Sequence, residues 1–433
     1  MLGIPIAAVA ETETEAWLDE PMPPGFQVLD SELDGPVFAT ADGKTIYEWP
    51  RHLLRNGYTG EDPGRPACYD EVSTVTAGLM SPYPSGITLP ELDERPSCTD
   101  LWPPVLADDD AKSVGRWSIV RRRDGVRQWA YNEQPLYTSI RDLYPGDTIG
   151  GWTRRYGGDS PANRVPVKPR PLLPPGFAVR STTTGRMLTT HKNESVYAHD
   201  DDTGDQTGCY DRCLERFSPV LAPALARAQG EWSLLERSPG VRQWVYRDKP
   251  LYTHPLDQHS WSRQGSDQPG WRNVYTQTAP PYPSAFTTVE TLSGTVLADA
   301  DGRTIYRYVC GDDSLDQLSC EHPDDTQVYR LAMCGGSQTA CRRHWPYVLA
   351  ADNAVESNRS WRVMRIDPAT GQRAAADQED ALRVWAYRDR PVYTFYNDRR
   401  PGDVHGDGTG EWRGLRNGLR AIWLRDDFLG RTL

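Results

Sequence analysis

Short runs of alternating apolar and polar residues, broken by Asp-Gly steps, dominate the chain. Trp117-Ser118-Ile119-Val120-Arg121 and Val126-Arg127-Gln128-Trp129 flank Asp124-Gly125. That dipeptide is favoured in tight hairpin turns, so the stretch predicts two paired strands. Ala41 to Tyr47 and Ala300 to Tyr306 share an Asp-Gly-x-Thr-Ile-Tyr pattern and predict further hairpins of the same sort. Helical spacing of apolar residues is confined to two short candidates, Tyr210 to Phe217 and Leu221 to Gln229. The chain reads as all-β.

The same landmarks recur three times. Val126-Arg127-Gln128-Trp129-Ala130-Tyr131 returns as Val241 to Tyr246 and again as Leu382 to Tyr387, and each copy is followed by Pro-x-Tyr-Thr ending at Thr138, Thr253 and Thr394. Trp117, Trp232 and Trp361 lie upstream, and before them come Trp102 to Ala107, Phe217 to Ala222 and Trp345 to Ala350. Each unit opens on a Phe (Phe26, Phe177, Phe286) and closes on a Trp (Trp152, Trp271, Trp412). These landmarks predict three tandem hairpin-rich units of two related halves, at 24–158, 175–278 and 279–433, the last with a C-terminal tail. The Pro-rich stretch 159–174 reads as a stiff linker. Separate small β domains and one continuous propeller-like array fit the pattern equally.

Composition narrows the class. Trp 15 and Tyr 21 against Phe 7 suit aromatic-rich strands. A net charge of −12 argues against a nucleic-acid partner, because phosphate binding needs a clustered basic surface. No stretch approaches the ~20 apolar residues of a membrane helix. Leu2 to Ala10 is a short apolar run ending in Ala8-Val9-Ala10, the form of a signal-peptidase site, without a basic start. Residues 1–23 are therefore read as a truncated signal peptide and leader, and the location as periplasmic or extracellular. The Cys fall into sequence-near pairs, Cys68 with Cys98, Cys209 with Cys213, Cys310 with Cys320 and Cys334 with Cys341. Such pairs fit disulfides formed outside the cytosol.

At this level of detail the chain resembles a bacterial family, the secreted repeat of predicted lipoproteins with a Y-x-[FWY]-x-x-D motif. Tyr393 to Asp398 carries that signature in full. Tyr137 to Asp142 has Ser139 in the aromatic slot, and Tyr252 to Asp257 has His254 there. Tyr47, Tyr197 and Tyr306 are the first-half counterparts, and only Tyr197 to Asp202 keeps its Asp. The lipobox of the family is missing. The resemblance implies an extracytoplasmic β-rich repeat and assigns no activity.

Two candidate sites follow from the residues. His191, His199, His254 and His259, with Asp202 and Asp257, are candidate ligands for a transition metal in the middle unit. His199 and His254 hold the same slot, two residues after a motif Tyr, in its two halves. Asp398, Asp403, Asp407 and Glu411 alternate with glycines as a calcium loop needs, though not at EF-hand spacing. Motifs for a serine hydrolase, zinc protease or phosphate-binding loop do not occur. The expectation is a non-enzymatic binding or structural module of the cell envelope, its partner an envelope component or small ligand, with homotypic assembly as a further expectation. A periplasmic metal or redox-accessory protein stands second, and an enzyme acting on envelope polysaccharide third.

Overall fold

A computed structural model describes residues 14–48, 98–151, 165–257, 262–310, 334, 336–356, 358–410 and 417–426. The protein is all-β: eight sheets occur among the described residues, with antiparallel strand pairings, and none is closed into a barrel. No helix among those residues is long and apolar enough to cross a membrane.

The middle unit shows the construction most fully. Its first hairpin, Phe177–Thr182 with Gly185–Thr190, takes Tyr275–Thr278 as a third strand. A second sheet runs in the order Ser218–Pro219, Tyr252–Thr253, Tyr197–His199, Trp271–Asn273. A third carries Trp232–Ser238, Val241–Tyr246 and Lys249–Pro250. The turn between the last two strands places Arg247 and Asp248 at φ 47° and 60°. Two successive residues with positive φ match the right-handed twist of a two-residue hairpin, and that register overrides the cost of a side chain in the left-handed region. Asn132-Glu133 and Arg388-Asp389 make the same turn elsewhere.

Trp-rich strands form because they bury one face. Phe26 packs against Trp117 at 4.6 Å and Trp129 at 5.6 Å between ring centres. Phe177 meets Trp232 at 4.6 Å and Trp244 at 6.1 Å, and Phe286 meets Trp361 at 5.1 Å and Trp385 at 5.5 Å. These separations are those of favourable edge and tilted aromatic contacts, and the rings anchor separate cores. The third core is built around Tyr306, Trp345 and Trp423.

Three features differ from the sequence reading. Leu221 to Gln229 is not helical: Leu221 bridges Gln243 at a sheet edge, and the guanidinium of Arg242 binds the carbonyls of Pro223, Ala224 and Ala226. Pro223, which has no N–H, suits such a loop better than a helix interior. Val165–Pro166, inside the Pro-rich linker, is a strand paired with Tyr47–Glu48. Proline is tolerated there because an edge strand needs fewer donors. Helix Gln338–His344, capped by the Ser337 hydroxyl accepting from Ala340 N, has no counterpart in the predicted elements.

Two compact bodies result. One holds the described part of Met1–Leu18 with Arg170–Arg180 and Thr184–Ala279; the other holds Asp19–Pro169, Ser181–Thr183 and Pro280–Leu433. The first and third sequence units thus share one body.

Candidate functional site

The residues of the Tyr signature sit in the cores. Tyr47, Tyr197 and Tyr306 are fully buried, and each lies opposite the second-half Tyr of its own unit: Tyr47 faces Tyr137, Tyr197 faces Tyr252 and Tyr306 faces Tyr393. On its other side each first-half Tyr faces the closing strand of its unit, at Pro166, Asn273 and Ala421. The phenol then reaches the signature carboxylate. Tyr47 Oη donates to Asp142 Oδ2 at 2.6 Å, Tyr197 Oη to Asp257 Oδ1 at 2.9 Å, and Tyr306 Oη to Asp398 Oδ2 at 2.6 Å.

The Asp therefore serves the Tyr of the other half. In the middle unit the relation is reciprocal, because Tyr252 Oη also donates to Asp202 Oδ2 at 2.9 Å. Asp202 Oδ1 accepts from Gly208 N at 2.9 Å, which turns the loop after Tyr197 back over the sheet. A lysine completes the frame: Lys249 Nζ binds the carbonyls of Asp200 and Asp202 at 2.7 and 2.6 Å. Lys44 Nζ does the same at the Asp142 carbonyl, at 2.6 Å.

Burial sets the acidity of these groups. It pushes Asp142 and Asp257 up to about 7, against the lowering effect of the Tyr hydrogen bond at each. Asp398 is raised for the same reason, with His405 among the groups opposing the shift. The phenols of Tyr47, Tyr197 and Tyr306 are driven well above their usual range, first by burial and then by the neighbouring carboxylate. A phenol that keeps its proton is a donor here and not a base.

Among the described residues the transition-metal candidates do not converge. Asp202 and Asp257 are taken by the tyrosines. His199 packs edge-on to Trp271 at 5.0 Å, while His254 lies against Phe217 at 5.0 Å and Tyr197 at 6.2 Å. His191 Nδ1 is at 3.2 Å from the Gly176 carbonyl, and His259 lies outside the described residues. Among the described residues no three His, Cys, Asp or Glu side chains are placed to hold a metal ion. His254 instead fills the signature's aromatic slot, the place Phe395 takes against Trp345 at 4.3 Å. Burial lowers its pKa, opposed by Asp267.

The calcium loop is likewise divided among other partners. Asp398 holds Tyr306 and the His405 backbone N–H. Asp403 Oδ2 accepts from Arg399 N and Arg400 N, as Asp147 Oδ2 accepts from Leu143 N and Tyr144 N. Asp407 is clamped by Arg420 at 2.8 and 3.2 Å, by Ala421 N at 3.0 Å and by Trp423 Nε1 at 3.4 Å. Glu411 lies outside the described residues. Of the cysteines, Cys209 is bonded to Cys213 and Cys334 to Cys341. Cys68 and Cys320 lie outside the described residues, as do the side chains of Cys98 and Cys310.

Sequence reasoning missed a polar interlock in the larger body. Asp34, fully buried, accepts from Thr148 Oγ1 at 2.6 Å and lies 3.5 Å from Arg388 Nη1. Arg388 also donates to the Thr148 and Gly151 carbonyls. Glu32 accepts from Arg359 N at 2.8 Å and from Ser360 N and Oγ at 2.7 and 2.8 Å. Arg362 lies 3.3 Å from Asp147. A small, partly open cleft is lined by Glu32, Asp147, Thr148, Arg359, Ser360 and Arg388. Its charges answer one another, first-unit acids against third-unit arginines. The one signal in the sequence is the Arg-Asp step after Tyr387, where a turn would favour Asn-Gly.

Residues 374–415 match the model of a family described as a secreted repeat of unknown function. No curated protein matches the chain. No solved structure matches it.

Proposed function

We propose that this protein is an exported component of the cell envelope whose β units act as a non-enzymatic binding or structural module. The observation that carries this reading is the place of the signature. Its Tyr and Asp residues are buried and hydrogen-bonded to each other across the two halves of each unit. A motif so placed maintains the scaffold, which leaves recognition to exposed loops, where ligand contact ordinarily lies. The match to a secreted repeat family and the two local disulfides support export.

The test is fractionation of cells expressing the full precursor, with thiol labelling and glycan assays on the purified protein. Recovery in the envelope or medium, with Cys209–Cys213 and Cys334–Cys341 oxidised and envelope polysaccharide left intact, is the expected result. Retention in the cytosol with free thiols would overturn export. Release of sugars from the polysaccharide would overturn the non-enzymatic reading.

A further inference from the structure

In the larger body, the loop after the second-half aspartate is framed by a further aspartate. In the first unit Asp147 Oδ2 accepts from Leu143 N at 3.2 Å and Tyr144 N at 3.0 Å, and in the third Asp403 Oδ2 accepts from Arg399 N and Arg400 N at 2.9 and 3.0 Å. The backbone frame is the same, and the side chains it carries are not. Arg399 and Arg400 are exposed, the ordinary choice for a solvated loop. Leu143 and Tyr144 are exposed as well, at 56% and 53%. The fold does not call for apolar residues here, since arginines complete the same frame.

Tyr144 is also fixed in place. Its carbonyl accepts from Asp147 N at 3.0 Å, and Gly146, at φ 76°, comes so near the Asp30 carbonyl that a Cβ would lie 2.9 Å from it. The guanidinium of Arg362 lies over the Tyr144 ring, 4.8 Å from its centre, and is itself held by Asp147 at 3.3 Å and by the Arg359 carbonyl at 2.9 Å. A cation stacked on an aromatic face holds that ring in orientation. Asp147 and Arg359, which anchor this arrangement, line the cleft together with Glu32 and Ser360. Its acids and arginines balance: Glu32 lies 3.7 Å from Arg359, Asp147 3.3 Å from Arg362 and Asp34 3.5 Å from Arg388.

A rigid aromatic ring beside polar groups of cancelling charge suits a ligand with many hydroxyls, flat C–H faces and no net charge. An ionic ligand would be repelled by one sign or the other, and an apolar peptide would desolvate the acids and arginines without replacing their partners. A hydroxyl donates to a carboxylate and accepts from a guanidinium, while the C–H face of a sugar ring packs on an aromatic side chain. We infer that Tyr144 and the adjoining cleft form a binding site for an uncharged oligosaccharide, with Tyr144 as its platform. Because the loop is already ordered, binding does not bear the entropy of fixing it. The inference rests on the reading of the protein as a binding module and names the chemical class of its ligand.

The test is calorimetric titration of the full chain with cellohexaose, mannohexaose and chitohexaose, all uncharged, and with hexagalacturonate, which is anionic. Binding of at least one uncharged sugar is expected, with little change between low and high salt, since no ion pair forms on binding. Tyr144→Ala should weaken it about tenfold or more, as loss of an aromatic anchor does, and Tyr144→Trp should retain it. The tryptophan variant guards against a misfolded alanine one, because it keeps the platform. Silence with all three uncharged sugars would overturn the inference. So would binding indifferent to Tyr144→Ala, equal loss in Tyr144→Trp, or a preference for hexagalacturonate that fades with salt. None of these outcomes bears on export, which fractionation decides, so failure here leaves the envelope reading standing.

Discussion

The middle unit carries a signature aspartate in both halves, the two outer ones only in the second. In the middle unit each half contributes a Tyr and an Asp, and the two hydrogen bonds cross between halves, Tyr197 to Asp257 and Tyr252 to Asp202. In the outer units the position five residues after the first-half Tyr is His52 or Gly311, so the signature aspartate is not repeated in that half. The retained bonds, Tyr47 to Asp142 and Tyr306 to Asp398, are those of the second-half aspartate. That asymmetry teaches which bond the architecture requires. The second-half Asp fixes the first-half Tyr against the closing strand, whereas the first-half Asp is an addition.

The coarsest way to break the comparison is to remove a core ring. Trp232→Ala is expected to cost about 3–5 kcal/mol, as truncation of a buried Trp does, and to lower the unfolding transition of the middle unit alone in calorimetry. Trp361→Ala should do the same in the larger body. A single merged transition shifting in both variants would mean that the cores are not separate cooperative units.

A finer test separates the required bond from the additional one. Tyr197→Phe and Tyr252→Phe each remove a donor to a buried carboxyl, at about 1–3 kcal/mol. Tyr197→Phe should be the more damaging, and a double-mutant cycle in denaturant should show coupling, since the two rings are register partners. Equal and additive effects would erase the distinction.

Acidity provides the next test. Asp142 and Asp257 have pKa values raised from 3.8 to about 7. A carboxyl raised by folding binds its proton more tightly in the folded chain, so its contribution is complete below its ordinary pKa and fades as pH rises through about 7. Denaturation midpoints should therefore fall between pH 4 and pH 7, and Asp257→Asn should flatten that slope for the middle unit. The smallest effect belongs to Arg303, an exposed residue paired with Asp299 and Asp301. Arg303→Gln is expected to shift stability by no more than about 0.5 kcal/mol in the same assay.

Local chemistry made much of this legible. Asp-Gly steps between alternating runs located hairpins, and the triplicated Trp and Tyr positions located the buried rings. What stayed hidden depends on distance in sequence. Val165–Pro166 reads as linker because prolines disfavour sheet interiors, yet an edge beside Tyr47 accepts them. Glu15 has no local feature that announces Arg186 as its partner. The carboxylates of the candidate metal and calcium sets carry other bonds for a related reason. Sequence shows that Asp202, Asp257, Asp398 and Asp407 are carboxylates, but not that phenols, backbone amides and Arg420 reach them first.

The closing strands have a consequence for the order of events during synthesis. Tyr197 waits for Asn273 and Tyr306 for Ala421 before either sheet is complete. A chain delivered from its N-terminus thus presents the opening hairpin and the first motif Tyr long before the strand that covers them. Until then the Trp-rich faces stay exposed, and closing so long a loop adds an entropic delay to the exposure. A pause or cleavage before Trp271 or before Asn417 would leave the first motif Tyr of that unit without its closing strand.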